Sequence, residues 1–144
     1  MNRLHTHFTC FLSGIILLLS ACAINPPTGS AEQWQHVGLS GDGNIQFAID
    51  KNSIRRQKGI VYYRDKKTVT DVEKQSYTQT PIYKTAIGTW EMDCNRKTYR
   101  LTALTLLNNR GVSVGEYRYG SNDLRPMPIA RDTVAEKQQQ LLCK

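Results

Sequence analysis

Between Trp34 and Tyr119 apolar and polar residues alternate with a period of two, the mark of strands with one buried face. The stretch from Asn44 to Asp50 places Ile45, Phe47 and Ile49 on one face. Gly41-Asp42-Gly43 before it is a turn, which makes Trp34 to Leu39 the expected preceding hairpin strand. Ile60 to Thr70 is rich in β-branched and aromatic residues, with a polar second half. Ala86 to Cys94 sets Trp90, Met92 and Cys94 on one side, and Tyr99 to Leu107 groups Tyr99, Leu101, Ala103 and Leu107. Asn108-Asn109-Arg110-Gly111 is a turn signal, after which Val112 to Tyr119 resumes the alternation. Strands this closely spaced predict an antiparallel meander.

The period changes near the carboxyl end. Thr133-Val134-Ala135-Glu136 has the form of a capping box, and Val134, Ala135, Gln138, Leu141 and Leu142 fall within about a third of a helix circumference. So short a helix is marginal alone and needs packing on the sheet. Cys143 projects away from the centre of that stripe. A bridge from it to the sheet requires the last turn to unwind, or the cysteine to sit at the helix edge. The predicted class is α+β: a mainly antiparallel sheet meander with one C-terminal helix tied to it by a disulfide.

The first 22 residues carry a different pattern. Arg3 gives a positive start, and Phe8 to Leu19 forms a largely apolar run of 12 residues, shorter than the ~20 needed to cross a bilayer as a helix. A secretory leader over residues 1–21 is therefore expected. It ends in Leu19-Ser20-Ala21-Cys22, which resembles the bacterial lipobox, and implies that Cys22 becomes the lipidated first residue of the mature chain. Several acyl chains at ~0.8 kcal/mol per buried CH₂ would anchor it lastingly to a membrane. By analogy with lipoproteins generally, Ala23 rather than aspartate after the cysteine favours the outer membrane. Residues 22–33, with Pro26-Pro27 among small polar residues, read as a lipidated tether, and the domain is expected over 34–144.

Compartment changes the meaning of the remaining cysteines and of the charge. Cys10 leaves with the leader and Cys22 is acylated, so Cys94 and Cys143 remain in an oxidising envelope, where a disulfide is the default. A metal pair lacks further ligands, since His36 is the one histidine beyond the leader, and a thiol nucleophile lacks a base for the same reason. Loss of Arg3 leaves 18 of the 19 basic residues against 12 acidic ones, a net charge of about +6. In an envelope such a charge points to lipopolysaccharide phosphates, anionic glycans or acidic proteins rather than nucleic acid, although many envelope proteins are simply basic.

No nucleophile elbow, Walker loop, dinucleotide fingerprint or zinc spacing occurs, so no enzyme and no cofactor is expected. Glu91 and Asp93 share a strand face, where a solvated surface is the readier explanation than acid–base chemistry. Two basic clusters stand out: Arg55-Arg56-Gln57-Lys58, expected as a loop ahead of Tyr62-Tyr63-Arg64, and Arg96-Lys97 in a turn with Arg100 just beyond. Taken singly, each is read first as protection of strand edges. Guanidinium groups beside tyrosines also make adhesive surfaces.

The linear order of features carries a family resemblance. Trp34, Asp50 with Ser53-Ile54, Trp90-Glu91-Met92-Asp93-Cys94, Tyr99-Arg100-Leu101-Thr102, Gly111, Pro128-Ile129 and a final helix closing at Cys143 together resemble the surface-adhesin protein E family of Gram-negative lipoproteins. The resemblance implies an antiparallel sheet with a disulfide-tied terminal helix. It also implies a surface lipoprotein that can form a homodimer and that adheres to host cells and matrix proteins such as vitronectin and laminin. The binding stretch of the family maps here onto Tyr83 and Lys84 through Cys94 to Tyr99 and Arg100, so Lys84, Arg96, Lys97, Tyr99 and Arg100 are the candidate partner-binding residues. This chain departs from the pattern in having no basic residue between Lys84 and Arg96. Haem binding, also a property in that family, has little to rest on with one histidine.

Two functions of different class follow. The first is a non-enzymatic outer-membrane lipoprotein that binds host matrix protein or anionic glycan. The second is a periplasm-facing accessory or inhibitor lipoprotein, since Ser113-Val114-Gly115-Glu116-Tyr117 echoes a loop motif of lysozyme-inhibiting lipoproteins. A domain of about +6 would repel strongly basic lysozymes, which weighs against that reading.

Overall fold

In the computed structural model residues 31–144 are described. The leader, Cys22 and most of the tether lie outside them. One antiparallel sheet organises the rest: β1 (Trp34–Leu39), β2 (Ile45–Asp50), β3 (Arg55–Gln57), β4 (Ile60–Val69), β5 (Thr85–Asp93), β6 (Thr98–Leu107), β7 (Ser113–Arg118) and β8 (Met127–Pro128). The order across it is β1-β2-β4-β5-β6-β7, with β3 beside β4 and β8 beside β6. Among the described residues one α-helix, α1 (Val134–Leu142), packs on one face. This is the predicted meander with its terminal helix.

Local chemistry explains the strand ends. Asp42 accepts the Ser40 hydroxyl at 2.5 Å and the Asn44 amide at 3.0 Å, closing the β1–β2 hairpin, and the first of these holds its carboxyl below the usual range. After β2, buried Asp50 accepts the amides of Gln33 and Asn52, while Ser53 Oγ donates to Asp50 O and accepts the Arg64 amide. That knot holds β4 beside the turn that leads into β3, and it ties residues 31–33, expected as tether, onto the sheet. Arg55–Gln57 is a strand and not the expected loop, because Lys58 and Gly59 adopt φ of 50° and 81°. Two successive left-handed residues make a tight hairpin whose twist suits the flanking strands.

Alternation puts Ile49, Val61, Tyr63, Trp90 and Met92 on the face that receives α1. In β6 the expected alternation fails midway. Thr89 pairs with Ala103 but Trp90 pairs with Leu101, so Thr102 is an inserted bulge residue. Its hydroxyl donates to Thr89 O at 3.0 Å and its carbonyl accepts the Tyr119 amide at 2.9 Å, which leaves the bulge satisfied. A one-residue insertion reverses the facing of everything beyond it. Tyr99 and Leu101 therefore share the helix face with Leu104 and Leu106, which lie opposite Gly88 and Ala86, and Ala103 and Leu107 turn to the other side.

The helix start also differs in detail from the expected box. Thr133 Oγ accepts the Glu136 amide at 3.2 Å, but the Glu136 carboxylate takes the amide of Asp132, not that of Thr133. Gln138 and Leu142 are its fully buried residues. The helix ends at Leu142, so Cys143 leaves the helical path with φ −97° and ψ 53°, reaches Cys94 and forms a disulfide. Of the two expected ways to make the bridge, unwinding at the end of the helix is the one found.

Candidate functional site

The fold brings the two basic clusters to one end of the sheet. Ile60 pairs with Asp93 at the end of the β4–β5 ladder, so the β3–β4 turn at Lys58-Gly59 abuts the β5–β6 turn at Cys94–Lys97. The Cys94 amide donates to Gly59 O at 3.2 Å, and a Cβ on Gly59 would stand 2.8 Å from Asn95 Nδ2. The left-handed backbone at Gly59, φ 81°, favours glycine there. Asp93 shapes the second turn, with Oδ1 accepting the amides of Asn95 and Arg96 at 3.0 and 2.9 Å. The Arg56 guanidinium donates to Leu142 O at 3.0 Å, capping the carboxyl end of α1 with positive charge. A groove of about 310 Å³ runs past Arg56, Lys58, the Cys94–Cys143 bridge and Lys144.

The five candidate partner-binding residues do not form one surface. Arg96 and Lys97 are exposed in the β5–β6 turn, and the Arg96 side chain lies only loosely against Asp93, at 3.8 Å. Arg100 stands on the outer face and is engaged: it donates to the Glu91 carboxylate through two nitrogens and to Gly120 O at 3.2 Å. Its partner Glu91 lies directly across the ladder, with a cleft of about 260 Å³ beside the pair. Tyr99 is on the opposite face, where its ring packs at 5.4 Å on Trp90. Lys84 precedes β5, whose nine residues separate it from Arg96 by about 30 Å, and its ammonium donates to Thr70 O.

What the sequence reading missed is the partnership of Lys58 and Lys144 with Arg96 and Lys97. These residues are far apart in the chain, and nothing local announces that two turns and a helix end converge. The segment Ser113–Tyr117, likened to an inhibitor loop, lies in edge strand β7 and not in a loop.

Behind this end lies a buried polar network. Tyr63 donates to Gln138 Oε1 at 3.1 Å, Gln138 Nε2 donates to Asp65 Oδ2 at 3.3 Å, and Trp90 Nε1 donates to Asp65 Oδ1 at 2.7 Å. Burial raises the Asp65 carboxyl above its usual range, opposed in part by Lys67 and by these hydrogen bonds. Burial likewise lifts the Tyr63 hydroxyl well above the ordinary phenol. The network's donors and acceptors are spent on one another, which fixes the helix on the sheet. Among the described residues no group of three or more His, Cys, Asp or Glu side chains could hold a metal ion, and no helix is long and apolar enough to cross a membrane.

Compared with known proteins, residues 34–144 match the family model of surface-adhesin protein E. No curated protein and no solved structure matches.

Proposed function

Because the chain belongs to the surface-adhesin protein E family, we propose that it is a non-enzymatic, lipid-anchored outer-membrane protein that binds an acidic host partner, a matrix protein or an anionic glycan. The contact is made by the basic end, through Lys58, Arg96, Lys97 and Lys144. The observation that carries this is the convergence of two basic turns, which gives one patch of cations where the sequence offers two weak clusters. Arg100 is taken up by its pairing with Glu91, and Lys84 lies too far away to join the patch.

An exposed ion pair contributes only about 0.2–1 kcal/mol, so adhesion of this kind depends on several cations acting together and weakens with salt. Binding of the protein to immobilised heparin and to matrix-coated surfaces tests it. Reversal at three sites, Lys58→Glu with Arg96→Glu and Lys97→Glu, is expected to weaken binding at least tenfold, while Lys84→Glu leaves it unchanged. Equal binding by the triple variant would rule out the basic end. Protease treatment of intact and of permeabilised cells tests the orientation: digestion only after permeabilisation refutes the host-facing reading and leaves the periplasmic accessory one.

A further inference from the structure

Helix α1 has nine residues, about 14 Å of length. Strand β6, at ten residues, runs about 33 Å, so the helix covers one part of the face that carries it. Beside its amino end a cleft of about 290 Å³ is lined by Phe47, Lys67, Trp90, Tyr99 and the first helical turn. A narrower pocket of about 110 Å³ adjoins it next to Thr80 and Tyr83, floored by Ala86, Leu104 and Leu106. Asp65, Lys67 and Trp90 line both, so the two form one trough. Its apolar floor exists because the bulge at Thr102 turns Leu104 and Leu106 onto this face.

One cation stands over that floor. The Lys67 ammonium is 5.7 Å from the Trp90 ring centroid and 5.9 Å from that of Phe47. It takes part in none of the ion pairs among the described residues. Asp65, its neighbour on the same face, has both carboxylate oxygens occupied by Trp90 and Gln138. The half-buried Lys67, bordered by aromatic rings and leucines, is complementary to a molecule with one negative end and an apolar body.

We propose that this trough binds an anionic amphiphile, an alkyl chain of medium length carrying one carboxylate or phosphate, with its head at Lys67 and its chain along Trp90, Leu104 and Leu106. The site lies on the helix side of the sheet, apart from the basic end, and does not depend on adhesion.

The chain has two tryptophans, so Trp34→Phe leaves Trp90 as the sole reporter. Its fluorescence is titrated with decanoate, decyl phosphate and uncharged decanol below their micellar concentrations. The expected result is saturable binding with an anionic head preferred about tenfold over decanol, the gain of one charge-assisted contact. Lys67→Met is expected to abolish that preference while retaining the decanol response, and Lys67→Arg to keep it. Preference for decanoate assigns the head to a free fatty acid, and preference for decyl phosphate to a lipid phosphate; either upholds the site. No saturable change, an undiminished preference in Lys67→Met, or a fluorescence change that coincides with loss of far-ultraviolet dichroism would overturn it.

Discussion

Replacing both Cys94 and Cys143 with alanine tests how the terminal helix is held. The bridge joins residues 49 apart in sequence, and closing a loop of that length in the unfolded chain contributes about 4 kcal/mol on the chain-entropy account. A domain of this size has about 5–15 kcal/mol in all, so the bridge is a large share. The contacts that remain on α1 include the buried side chains of Gln138 and Leu142, the partly buried Leu141, the Tyr63 and Asp65 bonds to Gln138, and the Arg56 bond to the last helical carbonyl. Burial of one leucine is worth about 2 kcal/mol and each hydrogen bond about 1 kcal/mol, enough to keep a nine-residue helix docked; these contacts act with or without the bridge and so do not offset its loss. Urea unfolding followed by far-ultraviolet dichroism measures the loss. With a slope of about 1.4 kcal/mol per molar urea, the midpoint is expected to fall by about 3 M. A loss below about 1 kcal/mol would show that the unfolded chain is not loosened by cutting the bridge, and the loop-closure argument would fail.

Two further perturbations address the buried network. Burial lifts the Asp65 carboxyl above its unfolded value, so the folded protein holds that proton longer than the unfolded chain. Its contribution to stability is complete below the ordinary carboxylate range and is lost as pH rises through the raised folded value. Asp65→Asn removes the titration. Gln138 can reverse its amide so that it accepts from the new asparagine and donates to Tyr63. The stability of this variant relative to the parent is expected to climb with pH by up to about 1.4 kcal/mol per pH unit across that window, and a constant difference in urea midpoints would contradict the reasoning. Gly88→Ala places a Cβ against Trp90 Nε1 and 2.6 Å from Asp65 Oδ1. It is expected to cost about 2–3 kcal/mol and to move the Trp90 emission spectrum; a loss under about 0.5 kcal/mol would mean that the hydrogen bond above Gly88 yields freely.

The meander and the helix were legible because alternation in the strands and the stripe in α1 are local properties, each set by which side chains must leave water. The disulfide was legible from cysteine arithmetic, and its geometric demand on Cys143 was met by ending the helix one residue earlier. Facing within β6 was not legible. Thr102 is as good a strand residue as its neighbours, and its insertion is decided by what the partner strands offer, the Thr89 carbonyl on one side and the Tyr119 amide on the other. That single insertion takes Ala103 off the helix face and puts Leu104 and Leu106 onto it.

The basic end escaped the sequence for a related reason. Arg56 and Lys58 are separated from Arg96 and Lys97 by a whole antiparallel hairpin, and only the β4–β5 register, which sets Ile60 against Asp93, makes their turns neighbours. The same register pairs Tyr62 with Glu91, and its continuation into β6 pairs Glu91 with Arg100. Arg100 is thus spent on a carboxylate within the sheet while Lys58 is left facing solvent beside Arg96 and Lys97. In linear sequence Arg100 looks like the better binding residue and Lys58 like an incidental turn charge. Strand pairing reverses that ranking, because the number of cations free to meet a partner is what remains after the sheet has satisfied its own cross-strand pairs.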